Sequence, residues 1–320
     1  MQCYEWRKLL SLRLSFVLLL ILVMHGVFCS AKLPFELPCS VGAYRLYTEQ
    51  ICGVSADEAI LHIEAEQQML EKQVDTDTAD RFEALSYLRE KVSDRIEKGN
   101  AAAQIYFDLE WNRLLSGTVD GFWMFGLLLT IIPFMANDCG AVRMMLLSSK
   151  HGRKHLIIRK LCCVCVFGMT WFLLNCIVGL VGFSLSFGLQ DAERHVQWME
   201  HYSSCQLPLT IWKLIVLQTI MRVLWSIATS LLIAWISVQT GSSTPAAVLT
   251  LFGLFFPIML HAVLPEFVTW ILPGTVLGTL SVECSNNPYE AIGFSIIACV
   301  LHGLFGWLLC QKAWNNKQNN

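Results

Sequence analysis

A short basic run contains the residues whose types and spacing most clearly suggest chemistry. It consists of Ser148, Ser149, Lys150, His151, Gly152, Arg153 and Lys154. Closely spaced cations beside an apolar segment are typical of a helix that lies on a membrane face and attracts anionic head groups. Gly152 lies between two polar residues, where we expect a tight turn with positive φ or close approach of a partner's backbone. The run therefore predicts a contact surface for an anionic membrane or an acidic partner.

Sequence motifs for catalysis do not occur in the chain. It has no Gly-x-x-x-x-Gly-Lys-Ser/Thr loop to hold the phosphates of a nucleotide, and no Gly-x-Ser-x-Gly run to present a serine nucleophile. The histidines that flank Glu200 are not at the spacing of a zinc protease. Cys162, Cys163 and Cys165 have no further ligands to complete a metal cluster, so we interpret them as apolar packing residues. We expect no enzymatic activity, no cofactor and no metal.

Composition determines the class of protein that must position these residues. Of the 320 residues, 55% are hydrophobic and 15% are charged, and the mean hydropathy is +0.51. So few charges cannot easily solvate the surface of a water-soluble protein, since ordinary globular proteins have about 25%. The net charge of −2 argues against a nucleic-acid binder. We predict an all-α integral membrane protein.

Membrane spans are predicted where about 20 residues are apolar and uncharged. Such stretches are Leu14–Ala31, Gly121–Asn137, Leu161–Gln190, Val223–Pro265, Phe267–Val282 and Ala291–Gln311. The fourth is long enough for two helices, which the polar turn Gln239–Pro245 would separate. The fifth contains Pro273, Gly274 and Gly278, so we interpret residues 265–285 as a re-entrant or interfacial segment. This leaves six transmembrane helices, although the first stretch also has features of a cleaved signal peptide.

Lysine and arginine in the short loops predict the orientation, because basic loops stay on the inner side. If the N-terminus is inside, the inner segments contain eleven lysines and arginines: Arg7, Lys8, Arg13, Arg143, Lys150, Arg153, Lys154, Arg159, Lys160, Lys312 and Lys317. The two short outer loops, 191–209 and 265–290, contain only Arg194. We therefore expect a multi-pass protein of the cell membrane with both termini in the cytoplasm.

A hydrophilic region, residues 32–118, separates residues 1–31, the N-terminus and first span, from the membrane domain 119–320. It has sixteen acidic and nine basic residues. Ser55 and Glu58 form a predicted capping box for a helix that runs to about Gln73. A second helix would place one apolar stripe inward, made of Phe82, Leu85, Leu88, Val92 and Ile96. We predict a small helical extracytoplasmic domain.

Four cysteines fall on the outer side in this topology. Cys39 with Cys52, and Cys205 with Cys284, would be the pairs if disulfides form. The second pair would join the two short outer loops. The sequence leaves disulfides and free thiols as open alternatives.

Polar residues in or near the spans are candidates for buried functional contacts. Arg222 lies either at the outer interface, with its side chain extended to water, or inside the fourth span. An inward-facing Arg222 would need a carboxylate partner, and Asp120 and Glu266 lie at the outer ends of other spans. Asn175 is a candidate for a hydrogen bond between helices.

The basic run and its surroundings resemble the permease subunits of ABC transporters of the type-2 exporter class. Members have an acidic residue and a glycine, then a leucine-rich segment, then Ser-Ser/Thr-Lys-x-Gly-Arg-Lys before the third span. Ser148–Lys154 matches that run, and Asp138 and Gly140 match it loosely, because the acidic residue is usually Glu. The six-span order, the large loop after the first span and the proline-containing segment before the sixth also fit.

This resemblance implies a substrate pathway built from two permease subunits, as a homo- or heterodimer, and driven by separate ATPase subunits. The inner loop 137–160 would be the coupling element that docks on the ATPase, with Lys150, Arg153 and Lys154 facing acidic residues. The alternative is a membrane-anchored sensor or accessory protein that uses 32–118 to bind a ligand. The bilayer is a partner in both cases, and nucleic acid in neither.

Overall fold

A computed structural model describes residues 9, 11–30, 38–71, 76–97, 111, 114–115, 121–136, 150–189, 192–199, 202, 207–256, 268, 271 and 288–316. Most of the described residues are helical, and none of them forms a strand, although His195 and Thr210 make an isolated antiparallel bridge. The helices are α1 (Leu12–Ser30), α2 (Val41–Gln50), α3 (Ala56–Leu70), α4 (Thr76–Glu97), α5 (Gly121–Ala136), α6 (Lys150–Phe187), α7 (Ile211–Thr240), α8 (Ser243–Thr250) and α9 (Pro288–Asn316). A π-helical turn, Leu251–Phe255, continues α8.

The chain divides into two compact units, each with its own hydrophobic core. One, here called the apolar unit, comprises Met1–Ser30, Ser116–Gly188 and Ile215–Asn320. The other, the charged unit, comprises Ala31–Leu115 and Leu189–Leu214.

Four helices of the described chain are long and apolar enough to cross a membrane. They contain the segments Arg13–Ser30, His155–Phe187, Ile211–Thr240 and Pro288–Asn316. Two further apolar segments, Phe122–Ala136 and Ser243–Gly253, are shorter. The second falls where we predict the fifth span, most of whose remainder lies outside the described residues, as does nearly all of the predicted re-entrant segment 265–285. A multi-pass membrane protein is the class that these helices fit.

Glycines with left-handed backbone conformation follow the ends of α6 and α7. Gly188 has φ +80° after α6, and Gly241 has φ +71° after α7. The Gly241 amide donates to the Ser237 carbonyl, which satisfies a carbonyl at the helix end. The turn predicted at Gln239–Pro245 is thus confirmed. Helix α7 begins at Ile211, just after the predicted outer loop 191–209, and it includes both Lys213 and Arg222.

Serine caps organise the charged unit. The Ser55 hydroxyl accepts a hydrogen bond from the Glu58 amide at 3.4 Å and starts α3, as the sequence predicts. Ser40 caps α2, a helix that we did not predict. On α4, Leu85, Leu88 and Val92 are buried and Ile96 packs against this core. The prediction that Phe82 also faces inward is wrong, since it is 39% exposed.

The segment 189–214 is a folded part of the charged unit, although the sequence suggested a simple loop. Val196, Met199 and Tyr202 are fully buried in it. The Val196 amide donates to the Leu209 carbonyl, and the Ile211 amide to the Arg194 carbonyl, both at 2.9 Å. This segment belongs to the same compact unit as residues 31–115.

Candidate functional site

Lys150–Lys154, the described part of the basic run, begins the longest helix among the described residues. Helix α6 starts at Lys150 and continues without a break for 38 residues to Phe187. Asp138, Gly140, Ser148 and Ser149 lie outside the described residues. The backbone from Lys150 to Lys154 is helical, so Gly152 is in a helix rather than in the tight turn that we expected. Arginine and lysine are good helix formers and one glycine costs only about 1 kcal/mol, which explains why the helix extends this far.

Lys160 anchors the amino-terminal half of this helix in the apolar unit. Its side chain is fully buried, and its ammonium donates to the Phe134 carbonyl at 3.2 Å. The same ammonium lies 4.8 Å from the Phe134 ring centroid and 5.4 Å from that of Trp314. A cation is favourable there, because Phe134 lies near the carboxyl end of α5 and both rings present π faces. Lys160 thus connects α6 with α5 and α9, whereas the sequence suggested a loop charge.

The middle of α6 is joined to α5 by tryptophan. The Trp171 indole donates to the Trp123 carbonyl at 2.8 Å, and the Trp123 ring meets Phe172 edge to face at 5.9 Å. Gly126 provides the space for this contact, because a Cβ there would lie 2.2 Å from the Trp171 ring. With the Lys160 contact, these interactions join α5 to the part of α6 between Lys160 and Phe172.

Helix α7 links α6 to α9. The Ser226 hydroxyl donates to the Gly168 carbonyl of α6 at 2.9 Å. One residue earlier, the Trp225 indole donates to the Ser295 hydroxyl of α9 at 3.0 Å. Adjacent residues of one helix thus bond to two different neighbours, which makes α7 a central element of the apolar unit.

Helices α1 and α6 pack through small residues. A Cβ on Gly182 would lie 2.7 Å from the Gly26 carbonyl oxygen, so the two backbones approach closely. Nearby, His25 Nε2 donates to the Asn175 carbonyl at 3.1 Å. The side-chain amide of Asn175 donates within α6 to the Trp171 carbonyl. A hydrogen bond between helices occurs at Asn175, but through its backbone and not through the side chain that we singled out.

Arg222 lies within α7, partly buried. Its Nη2 atom is buried and has no hydrogen-bond partner among the described residues. The same holds for Nε2 of Gln218, one turn away, in a side chain that is only 4% exposed. The two carboxylates proposed as partners, Asp120 and Glu266, lie outside the described residues. The sequence analysis identified Arg222 as a candidate for a buried contact. It did not identify Gln218, whose only signal is that it is a polar residue in an apolar run.

Two of the four cysteines for which we considered disulfides, Cys39 and Cys52, lie among the described residues. Both are free thiols in the structure and are not bonded to each other. Arg194 donates instead to the Cys52 sulfur at 3.1 Å, and burial raises the pKa of the Cys39 thiol, with Asp80 adding to the effect. Cys205 and Cys284 lie outside the described residues.

No family model, no curated protein and no solved structure matches the chain.

Proposed function

We propose that the chain is the membrane-spanning permease subunit of an ABC transporter, and that it works as an exporter. Two such subunits would form the substrate pathway in the cell membrane, with the termini and the 137–160 segment in the cytoplasm. ATP hydrolysis belongs to separate partner chains. The support is the Ser148–Lys154 run, which resembles that of the type-2 exporter class, at the start of the third span.

One observation carries the proposal: Lys150–Lys154 and the third span are a single helix. A force applied to the basic run by an ATPase would tilt a rigid rod about 57 Å long, at 1.5 Å per residue. Lys160 would pass that motion to α5 and α9, and the glycine contact at Gly182 would pass it to α1. A membrane-surface helix that only binds head groups needs no such continuity.

Charge reversal tests the docking role of the run. Replacing Arg153→Glu and Lys154→Glu together should abolish ATPase binding, because an acidic groove would repel the new carboxylates. The matched control is Lys312→Glu with Lys317→Glu, which changes the net charge equally at another segment assigned to the inner side. Binding and ATP hydrolysis are measured on purified complexes in lipid discs. Equal loss in both variants, or in neither, would remove the docking assignment.

Gly152 offers a second test because its backbone is helical. Gly152→Ala should leave ATPase association intact or strengthen it, since alanine stabilises a helix by about 1 kcal/mol relative to glycine. A docking turn with positive φ would be disrupted by the same change. Loss of association in Gly152→Ala would therefore favour a turn at Gly152 and contradict a continuous helix from Lys150 into the third span.

A further inference from the structure

The interior face of α7 carries three buried polar atoms that have no hydrogen-bond partner among the described residues. They are Nε2 of Gln218, Nη2 of Arg222 and Oγ1 of Thr229. Gln218 is 4% exposed and Thr229 is fully buried. Each of these groups can donate a hydrogen bond, and one of them is cationic.

Helix geometry places these groups together. At 3.6 residues per turn, positions 218, 222, 225, 226 and 229 fall within an arc of about 100°. Trp225 and Ser226, in the same arc, are fully buried against α9 and α6. The opposite face carries Val216, Ile220 and Leu224, which are 46%, 53% and 40% exposed. The apolar side of α7 thus faces outward and Arg222 faces the inside of the unit.

Leaving these donors unpaired is costly. A buried donor without a partner costs about 1–3 kcal/mol, and an uncompensated charge inside a membrane costs more. Water can satisfy an amide, but it does not neutralise a guanidinium. Arginine presents a planar fork that matches two oxygens of a carboxylate or phosphate, and Gln218, at i−4, is placed to add a further donor.

We propose that Gln218 and Arg222 bind an oxyanion, a phosphate or carboxylate group of the transported substrate. The substrate assignment rests on the proposed transport function, whereas the binding site itself does not. Ser226, Thr229 and Ser230 continue the polar face of α7 beyond the anion, and the hydroxyl of Ser230 lies against Gly168. This face provides the anion with a hydrophilic lining through an otherwise apolar helix.

The test uses Arg222 as its own reporter. The full chain is purified into discs of neutral phosphatidylcholine and treated with phenylglyoxal, and modification of Arg222 is read by mass spectrometry of its peptide. One arm adds inorganic phosphate to the buffer, and a second adds phosphatidylglycerol to the disc. Both anions present the same phosphate chemistry, and the arms separate a soluble anion from a lipid head group. Protection in either arm is the expected result.

Variants show whether protection comes from the assigned site. Gln218→Leu should raise the anion concentration for half-protection about tenfold, the value of one hydrogen bond to a charged group. Gln218→Glu should protect Arg222 without added anion, because it introduces a carboxylate one turn away. The matched control is Lys213→Gln, which removes an exposed cation from the same helix and should change nothing.

Two outcomes would overturn the proposal. If Arg222 of the unsubstituted chain is protected with no anion added, and Asp120→Asn or Glu266→Gln exposes it, the guanidinium is part of an internal ion pair. If neither anion alters its modification, no oxyanion binds there. The assay contains no ATPase, so either failure leaves ATPase coupling standing. Loss of coupling with protection retained would instead leave an anion site on a chain that does not transport.

Discussion

Ser40 and Asp80 form a two-point polar contact in the charged unit. The Ser40 hydroxyl donates to one Asp80 carboxylate oxygen at 2.6 Å, and the Ser40 amide donates to the other at 2.8 Å. These bonds lower the pKa of Asp80, first through the hydroxyl and then through the amide. The contact fixes the start of α2 on α4. The protonation state of the Asp80 carboxyl therefore affects the stability of the unit.

The lowered pKa predicts the direction of a pH effect. A carboxyl whose folded pKa lies below its unfolded value stabilises the fold above the unfolded pKa, about 4 for Asp. That stability is lost as the pH falls through the folded pKa. Asp80→Asn should therefore lower the thermal midpoint at neutral pH and reduce its decline in acid. Glu71→Gln, an exposed control with the same charge change, should leave the pH profile unaltered; equal profiles for both variants would contradict the assignment.

At the scale of helices, close backbone contact joins α1 to α6. Gly182 has no room for a side chain, because its Cβ would meet the carbonyl oxygen of Gly26 rather than a flexible group. Gly293, on α9, has open space around it, with nothing within 4 Å of a Cβ. The two glycines thus form a matched pair for substitution.

Gly182→Val should destabilise the apolar unit by about 1–3 kcal/mol, the usual cost of overpacking. Gly293→Val should be close to neutral. The measurement is the thermal midpoint of each purified variant in the same detergent. A midpoint for Gly182→Val that equals that of Gly293→Val would mean that α1 does not pack on α6 in this way.

Lys160 gives a second test among the helices. Lys160→Glu replaces a buried cation, held by the Phe134 carbonyl and two rings, with a carboxylate among the same groups. Stability should fall by about 3–5 kcal/mol, as for an uncompensated buried charge. Arg159→Glu makes the same charge change at an exposed neighbour and should cost far less. Urea titration of both variants compares the costs, and similar values would show that Lys160 is not buried.

Sequence patterns predicted these helices well where local chemistry determines them. For most helix ends, the charge-free stretches give the boundary to within a few residues. As expected, Ser55 caps the start of a helix and Gly241 follows the end of one. Lys160 and Gln218 were harder to interpret, because only tertiary packing decides whether a polar side chain faces protein or water. The position of Arg222 was left open for a related reason: a charge inside a helix resembles a charge that ends it.

For the whole molecule, the two units differ in how far residues close in sequence determine their structure. The charged unit follows from serine caps and an apolar stripe, but the folded segment 189–214 has no periodic pattern and was not predicted. In the apolar unit, the contacts of α6 depend on glycines and aromatic rings from α1 and α5. Such contacts are distant in sequence, so spacing along the chain does not reveal them.

The most direct measurement of the central claim is purification of the tagged full chain from its native membranes in mild detergent, followed by identification of its partners and an ATP hydrolysis assay. The account predicts that a separate ATPase chain co-purifies, that the complex hydrolyses ATP, and that Arg153→Glu with Lys154→Glu removes both. A preparation that contains no ATPase chain, or contains a kinase or protease instead, would contradict the transporter account and favour a membrane sensor.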